Sequence, residues 1–493
     1  MHFVPHLIIV VLRVCYNRIG YRRNEALNLT IKSMATLNIW TISLIIAISL
    51  ARIGLAAIGS LFGPTLLYVA DQVNVSVTTI STLSTGKAVG GIFGAVLGGI
   101  IKNLVGPNFR HLVLFGISCF IFGILQAVIP WTTNFWILMG NYILNGVLYG
   151  YLESAMQAFI LQTWESKSSA PFIHLFHMMH SFGSFATPLI AGYFLALSDA
   201  DAENNYCPGK ISNAINSTLQ LEDVGVNKSA IDTIEINQAG WAFIVTACFI
   251  VLVSIVFFVL ALADVEGRIS EFSSYDEYFP VEKEEKPSLT LVSFFIIVVG
   301  YFLCVVSASG LFSTYIYAVT LCSNLGFSIT SASQINSLFW FCHGCGRLSG
   351  VIASNYISAK TIIKFGIAGS IFSMTILSVF GERVPWIPWV ISALHGYTVS
   401  ILYPAGVSWV SENTNISGTY MFVPSVGSLL EKMIMVPLGG FILDLNAFSV
   451  IYLIFGFSLG TAITFGMMII MANYKSLLND QTKKLQLSDK RKY

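Results

Sequence analysis

The chain has 493 residues, 55% of them hydrophobic and only 10% charged, with a formal net charge of +1 and a mean hydropathy of +0.74. Soluble domains carry about 25% charged residues, so this composition excludes a water-exposed globule and points to an integral membrane protein. The near-neutral charge excludes nucleic acid as a partner, and the eight cysteines are scattered, with no disulfide framework.

A membrane helix needs ~20 predominantly apolar residues. The run Leu7 to Leu12 is too short to span, and its basic flank carries no convincing cleavage site, so 1–38 reads as a tail without a signal peptide. Spanning segments then follow at 39–67, 77–102, 111–130, 134–162, 171–197 and 240–263. Six more lie at 289–319, 332–357, 361–380, 386–410, 418–442 and 447–472. The expected fold is therefore an all-α membrane protein of twelve transmembrane helices. Two polar segments divide it: an outside loop at 198–239, and a charged linker at 264–288 that separates a half at 39–263 from a half at 289–472. Residues 473–493 read as a second tail.

Lys and Arg set the orientation. With the N-terminus inside, only Lys210, Lys228 and Arg383 fall outside, and Arg52, Lys87, Arg347 and Lys432 fall within spans; the other 19 of the 26 are inside. That bias predicts two cytosolic termini, in the plasma membrane. The sequons at Asn74, Asn216 and Asn227 then face outward as glycosylation sites.

The second span contains STGKAVGGIFGAVLGG, in which Gly86, Gly90, Gly94 and Gly98 recur every four residues. Such a small-residue ladder lets a neighbouring helix approach closely in a bilayer. A shift of 260 residues brings the pattern back as Gly346, Gly350, Ser354 and Ser358, and carries Lys87 onto Arg347. Fainter echoes link Gly150-Tyr151 with Gly396-Tyr397, and PLIAGYF from Pro188 with PLGGFIL from Pro437. Spans n and n+6 match, so the chain reads as a parallel repeat of six.

Parallel six-helix repeats are the architecture of major facilitator superfamily (MFS) transporters. FGPTLLYVADQVNVSVTTIS, GKAVGG, SAPFIHLFHMMHSFGSFATPLIAGYF and GCGRLSG resemble the sodium-dependent glucose transporter 1 branch of that superfamily, from about Leu44 to Leu443. The resemblance implies a secondary active transporter, not an enzyme. It implies a hexose such as glucose as substrate, Na⁺ as coupling ion and no other cofactor. The chain departs from the superfamily in GIIKNLVGPNFR, where Asn103 and Leu104 replace the usual Asp and Arg. The gating contact assigned to that Asp does not carry over.

Charged groups at the bilayer centre are expensive and usually face a partner or a water-filled cavity. Span four carries Asn141, Asn145, Tyr149, Glu153 and Gln157, one every four residues. This stripe reads either as a cavity wall for a polyol or an ion, with Asn145, Glu153 and Gln157 as ligands, or as a polar clamp between helices. Span eight carries Asn336, Trp340, His343 and Arg347. An indole packs on the apolar face of a sugar while amides bond its hydroxyls; a satisfied polar seam is the alternative. Glu153 and Glu431 are the candidate ion-coupling carboxylates. Arg52, Lys87 and Arg347 read as structural counter-charges to them, or as ligands for an anion.

His174, His177 and His180 are too spread around their helix for one metal ion, so no metal site is expected. His177 best matches the family pattern and joins the cavity candidates, with Tyr315 and His395 as weaker ones. The expected partners are the lipid bilayer and a small solute, bound by a monomer. An MFS exporter or facilitator of an organic anion, nucleoside or urea is the alternative. An intramembrane enzyme fits less well, since no nucleotide loop or metal-ligand set supports it.

Overall fold

The computed structural model describes residues 39–105, 110–163, 170–198, 207, 238–270, 289–354, 356–413 and 423–489. Among these residues the chain forms twelve helical rods. The first six are α1 (Ile39–Ser60, then Phe62–Gln72), α2 (Val77–Ser81, then Leu83–Val105), α3 (His111–Val128), α4 (Phe135–Thr163), α5 (Ala170–Ser198) and α6 (Trp241–Leu262). The second six are α7 (Leu289–Leu321), α8 (Ile329–Ala353), α9 (Ala359–Phe380), α10 (Ile387–Ser400, then Leu402–Asn413), α11 (Val423–Leu430, a π turn at Glu431–Met435, then Val436–Leu445) and α12 (Ser449–Asp489). Of the described helices, 10 are long and apolar enough to cross a membrane. The rods outside that set, α4 and α8, are the two that carry polar stripes.

Proline places two of the breaks. A proline ring clashes with the carbonyl four residues earlier and offers no N–H to it. Pro64 lies four residues after Ser60, and Pro404 four after Ser400, which are the last residues before the interruptions in α1 and α10. The last helix runs past the expected end at 472 to Asp489, because KSLLNDQTKKLQLSD contains neither Gly nor Pro to stop it.

The packing repeats between the two sets of six. Helix α2 lies on α4 as α8 lies on α10, α1 on α5 as α7 on α11, and α3 on α6 as α9 on α12. The small-residue ladder explains the first of these pairs. A Cβ added to Gly90 or Gly94 would strike the carbonyl oxygens of Ile143 and Val147, and one added to Gly146 or Gly150 would strike those of Lys87 and Gly91. The same relation holds where Gly346 abuts Tyr397 O and Gly396 abuts Phe339 O. Phe93, Ile137 and Leu252 are left exposed on outer faces, as lipid contact requires.

Three seams join the sets: α5 on α8, α2 on α11, and the outer part of α1 on α7. At the end of the bundle where α1 passes to α2, Asp444 of α11 caps the start of α2. Its Oδ2 accepts from Thr78 N–H at 2.7 Å and Thr78 Oγ1–H at 2.5 Å, while Oδ1 accepts from Val77 N–H at 3.2 Å. Close by, Gly63 lies against the backbone oxygens of Ser313 and Thr314. This end is closed.

One expectation from the sequence needs correcting. Cys207 and Cys322 form a disulfide, with Cα atoms 5.4 Å apart and a sequence separation of 115. It ties the segment after α5 to the end of α7, and no local spacing could mark a pair so far apart. The expected glycosylation sites Asn216 and Asn227 lie outside the described residues. Asn74 is exposed in the α1–α2 turn, with a left-handed φ of 55°.

Candidate functional site

The polar stripe of α4 divides into two parts. Its outer part is a clamp: Asn141 Nδ2 donates to Leu125 O of α3 at 2.9 Å, and Asn145 Nδ2 donates to Asn141 Oδ1 at 3.2 Å. Asn145 is 3% exposed, and its Oδ1 is buried without a partner among the described residues. The inner part faces the space between the two sets of helices. Glu153 Oε1 accepts from Arg52 Nη2 of α1 at 3.0 Å, and the Arg52 guanidinium also lies 4.7 Å from the centroid of Phe176 on α5. Gln157, one turn further along, is half-buried.

One turn before Glu153, Tyr149 receives two cations from opposite sets. Lys87 Nζ of α2 lies 5.4 Å from the ring centroid, and Lys432 Nζ of α11 lies 5.7 Å from it. Lys432 is exposed although Glu431 beside it is 3% exposed. Among the described residues, neither lysine has a carboxylate at ion-pair distance.

Helix α8 supplies the opposite wall. Arg347 Nη1 donates to His177 O of α5 at 3.1 Å, and its Nε is buried without a partner among the described residues. The Trp340 ring stands edge-on to His180 at 5.7 Å and to His343 at 5.2 Å, and His343 Nδ1 lies 3.5 Å from Ser181 Oγ. Trp340, His177 and His180 are half-buried, which leaves part of each turned to the interior space.

Besides Asn145, which sits in the clamp, three residues expected at the cavity are placed elsewhere. Asn336 is fully buried, its Nδ2 donating to Ser313 O at 3.1 Å. His395 is fully buried between Ala308 O, 3.1 Å from its Nε2, and Ser370 Oγ, 3.5 Å from its Nδ1. Tyr315 is fully buried on the α2–α11 seam, where its hydroxyl donates to Val436 O at 2.5 Å and lies 3.0 Å from Ser81 Oγ. Glu431 is 3% exposed, with its carboxylate packed against Gly310. The side chain of His174 lies outside the described residues.

The sequence reading passed over Lys432 and Asp444. Lys432 is carried inward by the π turn, which no residue pattern announces. Asp444 had a visible signal, a carboxylate ending the apolar run FIL, but its partner Thr78 is 366 residues away.

Comparison with known proteins agrees with this architecture. The family description "Major Facilitator Superfamily" matches residues 44–430. Sodium-dependent glucose transporter 1 of Danio rerio is 27% identical over 406 residues, which cover 82% of this chain and 64% of that protein. This chain thus spans a little under two thirds of that relative's length. The Homo sapiens protein of the same name is 24% identical over 444 residues, covering 89% of this chain and 81% of its own. Among solved structures, a D-xylose-proton symporter superimposes with a TM-score of 0.58 at 12% identity, covering 88% of this chain and 97% of that one. A bacterial homologue of the lysosomal transporter Spinster, inward-facing and unoccupied, gives 0.58 at 13% identity with the same coverage. At such identities the two structures speak for the fold alone. With its matched family over most of its length and two packed sets of six helices, the chain belongs to the Major Facilitator Superfamily and is a multi-pass membrane transporter rather than an enzyme.

Proposed function

We propose that this transporter takes up a hexose, glucose or a close relative, in symport with Na⁺ by alternating access, as a plasma-membrane monomer with both termini cytosolic. The two sets of six helices rock about the interior space, which is open to one side at a time. The names of the relatives support hexose and sodium. The half-buried Trp340, with His180 and His343 around it, supports a sugar site: an aromatic ring and polar donors side by side suit a pyranose.

The observation that carries the coupling is the Arg52–Glu153 pair. Glu153 is 27% exposed toward the interior space while Arg52 is 4% exposed, so the carboxylate is reachable by an incoming ion. Sodium takes hard oxygen ligands. To bind at Glu153 it must displace the guanidinium, so ion binding and rearrangement of α1 against α4 become one event. Gln157, a turn away, offers a neutral oxygen.

The test is uptake of labelled hexose into proteoliposomes containing the full chain, with and without an inward Na⁺ gradient. Stimulation by Na⁺ and competition by unlabelled hexose support the reading. Uptake driven equally by a proton gradient removes Na⁺ from it, and absence of hexose uptake by a protein that binds other solutes removes the sugar.

A further inference from the structure

We infer that Lys87 and Lys432 form an anion-binding site across the two sets of helices, over the ring of Tyr149, taking a carboxylate, a phosphate or chloride. This rests on the proposed function only in treating the interior space as the solute pathway.

The charge inventory points to it. Among the described residues the interior holds four basic side chains, Arg52, Lys87, Arg347 and Lys432, against two carboxylates, Glu153 and Glu431. Arg52 takes Glu153 at 3.0 Å. Glu431 attracts Lys432, as Glu153 does, but neither reaches it at ion-pair distance among the described residues. Lys87 and Lys432 instead both rest near one aromatic ring, at 5.4 and 5.7 Å from its centroid. A ring face softens the cost of one desolvated cation. Two ammonium groups at one ring, with no carboxylate at ion-pair distance among the described residues, leave a positive interior that an anion would neutralise.

The position gives the site its consequence. Lys87 stands on α2, held tightly to α4 by the glycine ladder, so it moves with the first set of helices. Lys432 stands on the π turn of α11 and moves with the second. An anion gripped by both draws the sets together at mid-bundle. Two sources of the same chemistry fit: an inorganic anion bound beside a neutral sugar, or a charged group borne by the solute itself, as in a sugar acid.

The experiment measures the melting temperature of the full-length protein in detergent, without transport, so failure of hexose uptake and failure of this site are read separately. The probes are chloride, inorganic phosphate, glucuronate and glucose, at an ionic strength held constant with a bulky organic sulfonate. Stabilisation by chloride or phosphate without sugar assigns the site to a free ion. Stabilisation by glucuronate at concentrations far below those of glucose, with inorganic ions inert, assigns it to the solute.

In either case Lys432→Gln raises the half-effective concentration on the order of tenfold, the loss of one charge-assisted bond. Lys432→Arg retains most of the effect. Lys432 is exposed, so its replacement leaves folding intact; Lys87→Gln is expected to behave alike where it folds. Arg110→Gln, at the end of α3 and bonded to Asp264, leaves the shift unchanged. No anion effect on the unaltered protein, or an effect that survives Lys432→Gln, overturns the proposal.

Discussion

Arg52 Nη2 and Glu153 Oε1 stand 3.0 Å apart, and the pair is lopsided: the guanidinium is 4% exposed and the carboxylate 27%. Two further buried Arg52 nitrogens, Nε and Nη1, have no hydrogen-bond partner among the described residues. Losing the carboxylate therefore leaves a buried cation held by its aromatic neighbour Phe176 but by no counter-charge at ion-pair distance among the described residues. Removing one member of a fully buried pair costs about 3–5 kcal/mol; the open face of Glu153 reduces this to roughly 1–3 kcal/mol. Glu153→Gln is expected to lower protein yield and to abolish sodium stimulation of uptake while solute binding remains. The Arg52→Gln, Glu153→Gln double variant should recover yield but not coupling. Full sodium dependence in a well-expressed Glu153→Gln protein removes this carboxylate from the mechanism.

The glycines of α2 are not interchangeable. Gly90→Leu and Gly94→Leu should prevent folding, because the carbonyls of Ile143 and Val147 occupy the space of even a Cβ. Gly99→Ala and Gly140→Ala should be tolerated, since nothing lies within 4 Å of an added Cβ at either position. Fluorescence-detected size exclusion separates the outcomes. Equal profiles for Gly94→Leu and Gly99→Ala would show that the α2–α4 contact is dispensable.

What the sequence made legible follows from what is local. Twelve apolar runs, a four-residue period of small side chains and a 260-residue repeat are all read along the chain, and they locate the rods and the α2–α4 and α8–α10 contacts. Polar side chains were visible, but their destinations were not. Asn336 and Glu153 look alike in a stripe, yet Asn336 closes on Ser313 within its own half while Glu153 borders the interior. The difference is a rotation of each helix about its axis, fixed by packing with segments far away in sequence. The Cys207–Cys322 and Asp444–Thr78 contacts belong to the same class.

Asp444 latches the closed end by accepting three bonds from the start of α2, where the helix N-terminus also favours a negative charge. Asp444→Asn keeps the shape but removes the charge and leaves an amide facing N–H donors. The closed state should lose roughly 1.5–3 kcal/mol, about a tenfold or greater shift in population. A cysteine introduced at Ser81, buried on this seam, should react with a membrane-impermeant thiol reagent faster in the Asp444→Asn background. Unchanged labelling would mean the latch does not hold the gate.

The π turn at Glu431–Met435 ties that gate to the interior. Pro437 has no N–H to offer Met433 O four residues back, nor Lys432 O five residues back. Both carbonyls face hydroxyls of the other set of helices: the Ser84 hydroxyl is shared between Lys432 O at 2.8 Å and Ser81 O at 2.7 Å, and Thr85 Oγ1 donates to Met433 O at 2.8 Å. The turn thus exists because α2 supplies the donors that Pro437 cannot. It also decides where Lys432 points, since returning from a π to an α register rotates the residues on one side by about 100° relative to the other. Ser84→Ala with Thr85→Val should leave two carbonyls unbonded, at about 1–3 kcal/mol each, and release Lys432 from Tyr149. Adding Pro437→Ala should restore an N–H and recover yield through a regular helix, but with the ammonium displaced. The expected signature is a triple variant that is as stable as the parent yet impaired in solute affinity. If the Ser84, Thr85 double variant keeps both its melting temperature and its affinity, the bonds from α2 do not maintain the turn.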